Sequence, residues 1–280
     1  MEALFEFRRR VSDAIADIDD EILKFHEDEF WMIRAPYEFL EYHAEKNRLF
    51  NTALALPLAR GLHDGSYRKN AMIRNGVAQR PPYVIHCLTV CKMLADMWIP
   101  ISDEERDILL AAALCHDMIE DIDFTEQGKE LVSKYHLAPE VYDTVKLVSK
   151  RKDFTLEEEQ AFFRGIEENR LALLIKLSDR GHNVTDLYNM SEQKIREYVG
   201  ETRTYFLPMC EYARAHYPEL DDVVEIMQDQ LICLTKTVEM LAERHTKRQQ
   251  KLIAELQELR RENEDLHRLC AEVRRGGITV

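Results

Sequence analysis

Apolar residues recur every three to four positions along most of the chain, which is the spacing of one face of a helix. The pattern is clearest in residues 83–97, 103–121 and 170–189. Ser102 and Glu105 have the spacing of a capping box and mark the start of the second of these helices. Gly and Pro are both scarce, which disfavours a sheet-rich chain with many tight turns. We therefore predict an all-α fold, a bundle of roughly ten helices with no appreciable sheet.

The same pattern divides the chain into three parts. Residues 1–45 are rich in charge and aromatic rings, and we expect this N-terminal helical segment to dock on the rest. Residues 46–243 form the main domain, interrupted by a predicted loop over residues 65–82 that ends in two prolines. Residues 244–280 differ in composition and are predicted to form a coiled coil.

The coiled-coil prediction depends on one narrow apolar seam. Its residues follow one another at alternating spacings of four and three: Leu252, Leu256, Leu259, Asn263, Leu266, Cys270 and Val273. This is the heptad spacing, and one Asn at an a position is a known device for fixing a parallel two-stranded register. The alternative is a single amphipathic helix packed on its own domain. We expect a homodimer through this segment.

Composition excludes several classes of protein. The net charge of −14 disfavours a broad basic face for duplex nucleic acid. No uncharged apolar run reaches the length of a membrane span, and the first residues lack a secretory leader, so we expect a cytoplasmic protein. The six cysteines form no CxxC pair, and we expect them to be reduced.

The strongest chemical signal is the segment His116-Asp117-x-x-Glu120-Asp121, which follows a continuous apolar run. Polar groups at the end of a buried helix are costly unless something pairs them. Imidazole together with carboxylate suits Mn²⁺, Fe²⁺ or Zn²⁺. The alternative is a core histidine beside a solvated helix end.

Two other helices carry residues of the same kind. His86 lies early in the helix of residues 83–97, where it is a metal-ligand candidate or a satisfied core histidine. Asp179 lies within an apolar helix and calls for a cation or for a salt bridge with Lys176 or Arg180. Asn183 lies one turn further on the same face. His182 points about 100° away from Asn183 and is left out of the predicted site.

Together, these segments resemble the HD superfamily, and within it the hydrolase domain of RelA/SpoT-type guanosine polyphosphate enzymes. The resemblance covers roughly residues 46–210. It is carried by the strings LARGLHDGSYRK, PPYVIH, LLAAALCHDMIEDIDFT, VKLVSK and LLIKLSDRGHNV, in that order. It implies a helical domain with the metal at its centre.

The resemblance also implies the roles of individual residues. The metal ligands would be His86, His116, Asp117 and Asp179, and the family's metal is usually Mn²⁺. Glu120 and Asp121 match the acidic pair that activates or orients the attacking water. The nucleotide substrate would contact Arg68, Lys69, Lys176 and Asn183.

The chain departs from the family in four ways. About nine extra residues within 70–81 bring Arg74 and Arg80, either of which could replace Arg68 in contacting phosphates. Cys87 stands where the family has proline. Asp186 stands where long bifunctional members have threonine. The residues after 243 are too few for the synthetase domain of those members.

The function implied is a stand-alone guanosine-3′,5′-bis(diphosphate) 3′-pyrophosphohydrolase, which converts ppGpp to GDP and pyrophosphate. The alternatives are an HD phosphohydrolase acting on another nucleotide, such as NADPH or a nucleoside monophosphate, and a non-catalytic nucleotide-binding regulator. A locally basic pocket must bind an anionic substrate in so acidic a protein. Its candidate cations include the run of residues 150–152, for which the alternative is a solvated charge run.

Overall fold

A computed structural model describes residues 2–18, 23–24, 30–68, 72–74, 77–118, 134–151 and 153–275. The α-helices of these residues are α1 (Glu2–Ala16), α2 (Phe30–Asn47), α3 (Phe50–Leu62), α4 (Val84–Asp96), α5 (Asp103–Cys115), α6 (Pro139–Val148), α7 (Leu156–Glu167), α8 (Arg170–Thr185), α9 (Glu192–Glu201), α10 (Leu207–His216) and α11 (Asp221–Arg275). Short 3₁₀ turns follow α8 at Asp186–Asn189 and precede α11 at Pro218–Leu220. The predicted all-α fold is confirmed.

Helix α8 lies at the centre of the bundle and packs against α4, α5, α6 and α11. Its apolar residues from Ala172 to Ile175 have no exposed surface, and the same holds for Ala111 to Leu114 in α5. A fully buried leucine or isoleucine side chain stabilises the fold by about 1.5–3 kcal/mol. Two of the helices that position predicted site residues are therefore also buried in the core.

The beginning of α5 follows the predicted capping box. Ser102 Oγ accepts a hydrogen bond from the Glu105 backbone N–H, and the Glu105 carboxylate accepts one from the Ser102 backbone N–H. The helix ends at Cys115, so His116 and Asp117 directly follow its last residue. The length of this one helix thus fixes where the two polar residues lie.

The N-terminal segment packs on the bundle through α1 and α2. Phe7, Ile33, Tyr37 and Leu40 are buried there, as expected for apolar residues that dock a helical segment. The predicted division of the chain at residue 45 stays a prediction.

The predicted loop over residues 65–82 contains a short antiparallel hairpin, which corrects the prediction. Strands β1 (Met72–Arg74) and β2 (Val77–Gln79) pair in it. Residues 66–68 pair with residues 81–83 at its base, where Arg68 N–H donates to Pro81 O at 3.0 Å and Tyr83 N–H donates to Ser66 O at 2.7 Å. The periodicity missed the hairpin because each strand has only three residues.

Helix α11 runs without interruption past residue 243, where we placed the start of the coiled coil. Beyond that point the seam leucines are largely exposed, with Leu256 at 56% and Leu266 at 61%. The sequence has no Gly or Pro between residues 221 and 275 to end the helix. Pairing of two such helices stays a prediction.

The cysteines and the apolar helices were also considered from composition. All six cysteines are unpaired, four of them buried, so no disulfide forms within the described residues. None of the helices in the described part of the chain is long and apolar enough to cross a membrane.

Candidate functional site

Three helices bring the four predicted metal ligands to one point. His86 lies in the first turn of α4, His116 and Asp117 follow the end of α5, and Asp179 lies in the middle of α8. All four are buried, with exposed fractions between 1% and 8%. Burial of two carboxylates in an apolar bundle is costly unless positive charge compensates them.

The ligand atoms themselves converge. His86 Nε2 lies 3.2 Å from His116 Nε2, and Asp117 Oδ2 lies 3.3 Å from each of them. Asp179 Oδ1 lies 3.1 Å from His86 Nε2 and 3.7 Å from His116 Nε2. Two nitrogens and two carboxylate oxygens thus surround one small space.

The proton positions of His116 test whether these atoms fit a cation. His116 Nδ1 lies 2.8 Å from the carbonyl oxygen of Ala113, which can only accept, so Nδ1 carries the proton. In the neutral ring, Nε2 then carries a lone pair that points toward Asp117 and Asp179. Two imidazole nitrogens and two carboxylate oxygens placed in this way fit a divalent cation such as Mn²⁺, Fe²⁺ or Zn²⁺, which replaces the proton on Nε2.

The titration of the cluster agrees with this need for positive charge. Burial alone would lower the pKa of His116, but the carboxylates of Asp117 and Asp179 outweigh burial and raise that pKa to about 9. Burial likewise opposes ionisation of both aspartates, yet the neighbouring histidines, and Lys176 beside Asp179, hold their pKa values below the usual range. The carboxylates are thus ionised.

Neighbouring side chains hold each carboxylate in place. Lys176 Nζ lies 3.1 Å from Asp179 Oδ2, and Asn183 Nδ2 donates to Asp179 Oδ1 at 2.5 Å. Tyr83 donates its hydroxyl proton to Asp117 Oδ2 at 2.7 Å, and burial followed by Asp117 raises the pKa of that hydroxyl. The salt bridge between Lys176 and Asp179, weighed above as an alternative to metal binding, therefore coexists with the ligand cluster.

Arg68 lies at the site in spite of the insertion that follows it. Its Nη2 donates to Asn183 Oδ1 at 3.2 Å and to Asp186 Oδ2 at 2.5 Å. The paired base of the hairpin explains this, because it returns the chain to Tyr83 beside Arg68. Arg80 is exposed and does not line the cavity, and the side chain of Arg74 is outside the described residues. Arg68 is therefore the predicted arginine whose side chain lies at the site, and its partners there are Asn183 and Asp186.

Three predicted site residues cannot be placed. Glu120, Asp121 and Lys69 lie outside the residues that the structure describes. Their predicted roles stay predictions.

A cavity of about 840 Å³ opens beside the ligand cluster. Asp117 and Asp179 form part of its lining, so the cluster faces the cavity directly. The other charged or aromatic lining residues are Tyr67, Arg68, Tyr83, Lys150, Arg151, Phe163, Lys176, Arg180, Asp186, Lys194, Tyr198, Glu201 and Phe206. This volume suits a nucleotide-sized ligand.

Part of the cavity lining combines basic residues with aromatic rings. Lys150 forms ion pairs with Glu159 and Glu201, and Arg180 also pairs with Glu201. The Arg180 guanidinium carbon lies 4.1 Å from the ring centroid of Phe206. A π-helical segment at Thr202–Phe206 sets Glu201 and Phe206 around Arg180, and such segments are frequent at functional sites.

Sequence analysis missed two residues beside the ligands. His182 Nδ1 lies 2.7 Å from His86 Nδ1, and burial followed by His86 lowers the pKa of His182 to about 4. Cys87 lies within 4.8 Å of ligand atoms of His116 and Asp117, and its Sγ lies 3.6 Å from His63 Nε2. The sequence feature that could have identified His182 is its position three residues after Asp179, about one turn along the same helix.

Comparison with known proteins finds similarity in the part of the chain that carries the predicted ligands. The sequence model of the HD domain family matches residues 83–184, and this range includes all four predicted ligands. A guanosine-3′,5′-bis(diphosphate) 3′-pyrophosphohydrolase of Vibrio cholerae is 28% identical over 57% of this chain and 21% of its own length. The bifunctional (p)ppGpp synthase/hydrolase SpoT of Escherichia coli is 27% identical over 64% of this chain and 24% of its own length.

A further relative is the GTP pyrophosphokinase rsh of Brucella ovis, 32% identical over 50% of this chain and 19% of its own length. This chain thus spans about a fifth of the length of the curated relatives it matches. The comparisons agree with the predicted HD domain over residues 83–184, while the activity and the substrate of this chain are matters for proposal.

Proposed function

Since residues 83–184 of this chain form an HD domain, we propose that it is a metal-dependent phosphohydrolase and, specifically, a ppGpp 3′-pyrophosphohydrolase. The observation that supports this proposal is the convergence of His86, His116, Asp117 and Asp179 on the wall of a nucleotide-sized cavity. Relatives named for the same reaction add support. We also propose a cytoplasmic location, since free nucleotides are abundant in that compartment.

We propose Mn²⁺ as the metal, because two imidazoles with two carboxylates form a mixed nitrogen and oxygen set that suits it. When bound, a divalent ion supplies Lewis acidity to a phosphate oxygen and lowers the pKa of water. Cys87 offers a softer ligand nearby, so Zn²⁺ is the competitor to include in any metal titration.

Other residues of the chain hold the ligand carboxylates in place and handle the proton of the attacking water. Lys176 and Asn183 hold the Asp179 carboxylate, while Tyr83 holds that of Asp117, which keeps both in the orientation for binding a cation. In this proposal, Glu120 and Asp121 accept the proton of the attacking water or orient it. The water oxygen forms a bond to the phosphorus attached to the ribose 3′ oxygen, the bond between that phosphorus and the 3′ oxygen breaks, and the 3′ oxygen takes up a proton, which yields GDP and pyrophosphate.

The substrate carries several negative charges, and the cavity offers cations for them. Lys150, Arg151 and Lys194 line the cavity. Tyr198 also lines it and is only partly buried, so its ring offers a surface on which a base can stack. This combination of basic and aromatic side chains suits a nucleotide better than an inorganic phosphate.

A second candidate is hydrolysis of another nucleotide, such as NADPH or a nucleoside monophosphate. Asp186, which pairs with Arg68, favours this second candidate. Its carboxylate stands at the position where long bifunctional relatives carry threonine. A carboxylate there repels phosphate and accepts hydrogen bonds from sugar or base. A panel of phosphorylated metabolites with phosphate and pyrophosphate detection separates the two candidates.

The decisive experiment measures pyrophosphate release from ppGpp with Mn²⁺. We expect turnover by the wild type and a loss of at least about 100-fold in Asp117→Ala and in Glu120→Gln, since each removes a ligand or a proton acceptor. Asp229→Ala is the matched control, an exposed aspartate on α11, and should keep full activity.

Each result has a separate meaning. Metal-dependent turnover that Asp117→Ala abolishes excludes the non-catalytic regulator. Turnover of another nucleotide but not ppGpp replaces the favoured substrate. Mn²⁺ binding without turnover of any phosphorylated metabolite would leave a nucleotide-binding regulator as the function.

We further propose that the chain forms a homodimer through residues 244–280, with two copies of α11 parallel and in register. In that arrangement Glu255 of one copy faces Arg260 of the other, and Glu262 faces His267, because g and e positions meet between parallel helices. An antiparallel arrangement would place glutamates opposite one another. This charge pattern supports a second copy as the partner of the exposed seam.

A further inference from the structure

Two histidines face each other behind the ligand cluster. His86 Nδ1 and His182 Nδ1 are 2.7 Å apart, with ring centroids 4.8 Å apart and ring planes inclined at 47°. This is a hydrogen-bond distance, so one of the two nitrogens carries a proton and the other accepts it. The distance allows two assignments: either His86 Nδ1 donates to His182 Nδ1, or His182 Nδ1 donates to His86 Nδ1.

The ligand cluster decides between them. His86 Nε2 points at His116 Nε2, Asp117 Oδ2 and Asp179 Oδ1, all within 3.3 Å. To bind a cation there, Nε2 must offer its lone pair, so the proton of the neutral ring lies on Nδ1. His86 then donates from Nδ1 to His182 Nδ1, and His182 carries its own proton on Nε2.

From this geometry we infer that His182 is a positioning residue of the metal centre, which fixes the tautomer and ring orientation of His86. The inference rests on the metal centre of the proposed function but not on any particular substrate. His116 has the same arrangement, since Ala113 O accepts from its Nδ1. Each ligand histidine therefore has a fixed acceptor behind it, a backbone carbonyl for His116 and an imidazole for His86. Ligand histidines usually donate their second N–H to such an acceptor.

The place of His182 in the helix explains how it reaches His86. It lies three residues after Asp179 in α8, so the two side chains leave the helix on adjacent faces one turn apart. Asp179 contributes to the cluster from the front, while His182 contacts His86 from the side of Nδ1. Next to it, Gly181 lies against α4, where a Cβ would be 3.5 Å from Met93 Cε. One turn of α8 thus supplies both a ligand and the support for a ligand on α4.

The test is calorimetric titration of the metal-free protein with MnCl₂. We expect His182→Ala to bind Mn²⁺ about 10- to 100-fold more weakly than the wild type, which is the usual effect of removing a partner of a ligand histidine. His182→Asn places an amide oxygen near the position of Nδ1 and should restore most of the affinity. His43→Ala is the matched control, a half-buried histidine on α2 away from the cluster, and should bind as the wild type does.

A second measurement does not depend on a variant that folds. Long-range ¹H–¹⁵N spectra of the Zn²⁺-loaded wild type report the tautomer of each histidine. We expect the proton of His86 on Nδ1 and that of His182 on Nε2. A proton on His182 Nδ1 would overturn the inference, as would unchanged Mn²⁺ affinity in a folded His182→Ala protein.

These outcomes separate the inference from the proposed function. If the wild type binds Mn²⁺ and hydrolyses no ppGpp, the substrate proposal fails while the role of His182 is still decided by the titration. If it hydrolyses ppGpp and His182→Ala binds Mn²⁺ normally, only the role of His182 fails. If the wild type binds no divalent metal, both are overturned.

Discussion

Arg68 and Asp186 form an ion pair across 118 residues of sequence, with 2.5 Å between Nη2 and Oδ2. The side chains are 14% and 28% exposed. Burial alone would lower the pKa of Arg68, but Asp186 outweighs it and the pKa is raised. Arg68 is therefore largely neutralised within the cavity, and it acts as a fixed wall that holds Asn183 more than as a free phosphate contact.

Replacing Asp186 by Asn should release the positive charge of Arg68 toward the cavity. We expect KM for ppGpp to fall about 3- to 10-fold in Asp186→Asn, since an interaction between a guanidinium and a phosphate is worth roughly 1 kcal/mol at a partly buried site that opens to the cavity. The value of kcat should change little because Asp186 is not among the metal ligands. Steady-state kinetics at several substrate concentrations measures both constants.

Glu38→Gln is a suitable control for that variant. Glu38 forms an exposed ion pair with Arg34 on α2 and should leave KM unchanged. A rise in KM for Asp186→Asn would contradict the prediction and would show that the carboxylate itself binds the substrate.

Glu201 joins two helices and a loop, and we expect it to make stability depend on pH. Burial alone would raise the pKa of Glu201, but Arg180 and Lys150 outweigh burial and lower it. A carboxyl group with a lowered pKa in the folded protein stabilises it above the unfolded value near 4.5. That contribution is lost as the pH falls through the folded pKa.

Glu201→Gln should therefore destabilise the protein at pH 7 by about 2 kcal/mol, because Arg180 loses its carboxylate partner inside the bundle. The difference from wild type should begin to shrink below pH 4.5 and should become small below the lowered pKa of Glu201 in the folded protein, where the wild-type group is also neutral. Urea unfolding at a series of pH values measures this. Glu197→Gln on the same helix, which pairs with Lys194 at the surface, should show no such trend. A difference that is constant with pH would refute the argument.

The fold could be predicted from the sequence where the information is local. Apolar periodicity found the helices, and Ser102 with Glu105 marked the start of α5, because caps and amphipathic faces depend on residues within one turn. The hairpin of residues 72–79 and the π-helical segment at Thr202–Phe206 were not predicted. Three-residue strands and a single wide turn leave no periodic trace in the sequence.

The site was partly predictable for the same reason. The four ligand candidates were singled out as polar residues in or directly after apolar helices, and their role as ligands was implied by the resemblance to the HD superfamily. The position of Arg68 could not be fixed, because it depends on backbone pairing of residues 66–68 with residues 81–83. His182 was set aside because it points away from Asn183, yet that direction turns it toward His86 on the neighbouring helix. Helical angles within one helix cannot reveal what a second helix offers.

The exposed seam of α11 leads to a test of the proposed dimer. Leucines at Leu252, Leu259 and Leu266 are each at least half exposed in the single chain, and burying such side chains favours association. Deleting residues 246–280 should therefore reduce the mass in solution from a dimer to a monomer. Light scattering measures the number of copies per particle. A truncated protein that is still a dimer would show that the two copies meet elsewhere.

Cys270 makes the direction of the two helices measurable. It lies at an a position, where a parallel in-register pair places it opposite the same residue of the second copy. Mild oxidation should then produce a disulfide-linked dimer in the wild type and in Cys233→Ser, but none in Cys270→Ser. Cys233 is the matched control because it is an exposed thiol on the same helix outside the seam. An antiparallel pair centred near Asn263 would set Cys270 opposite Leu256, about 14 residues or 21 Å along the helix from the other Cys270. A dimeric protein that never forms this cross-link would therefore rule out the parallel register.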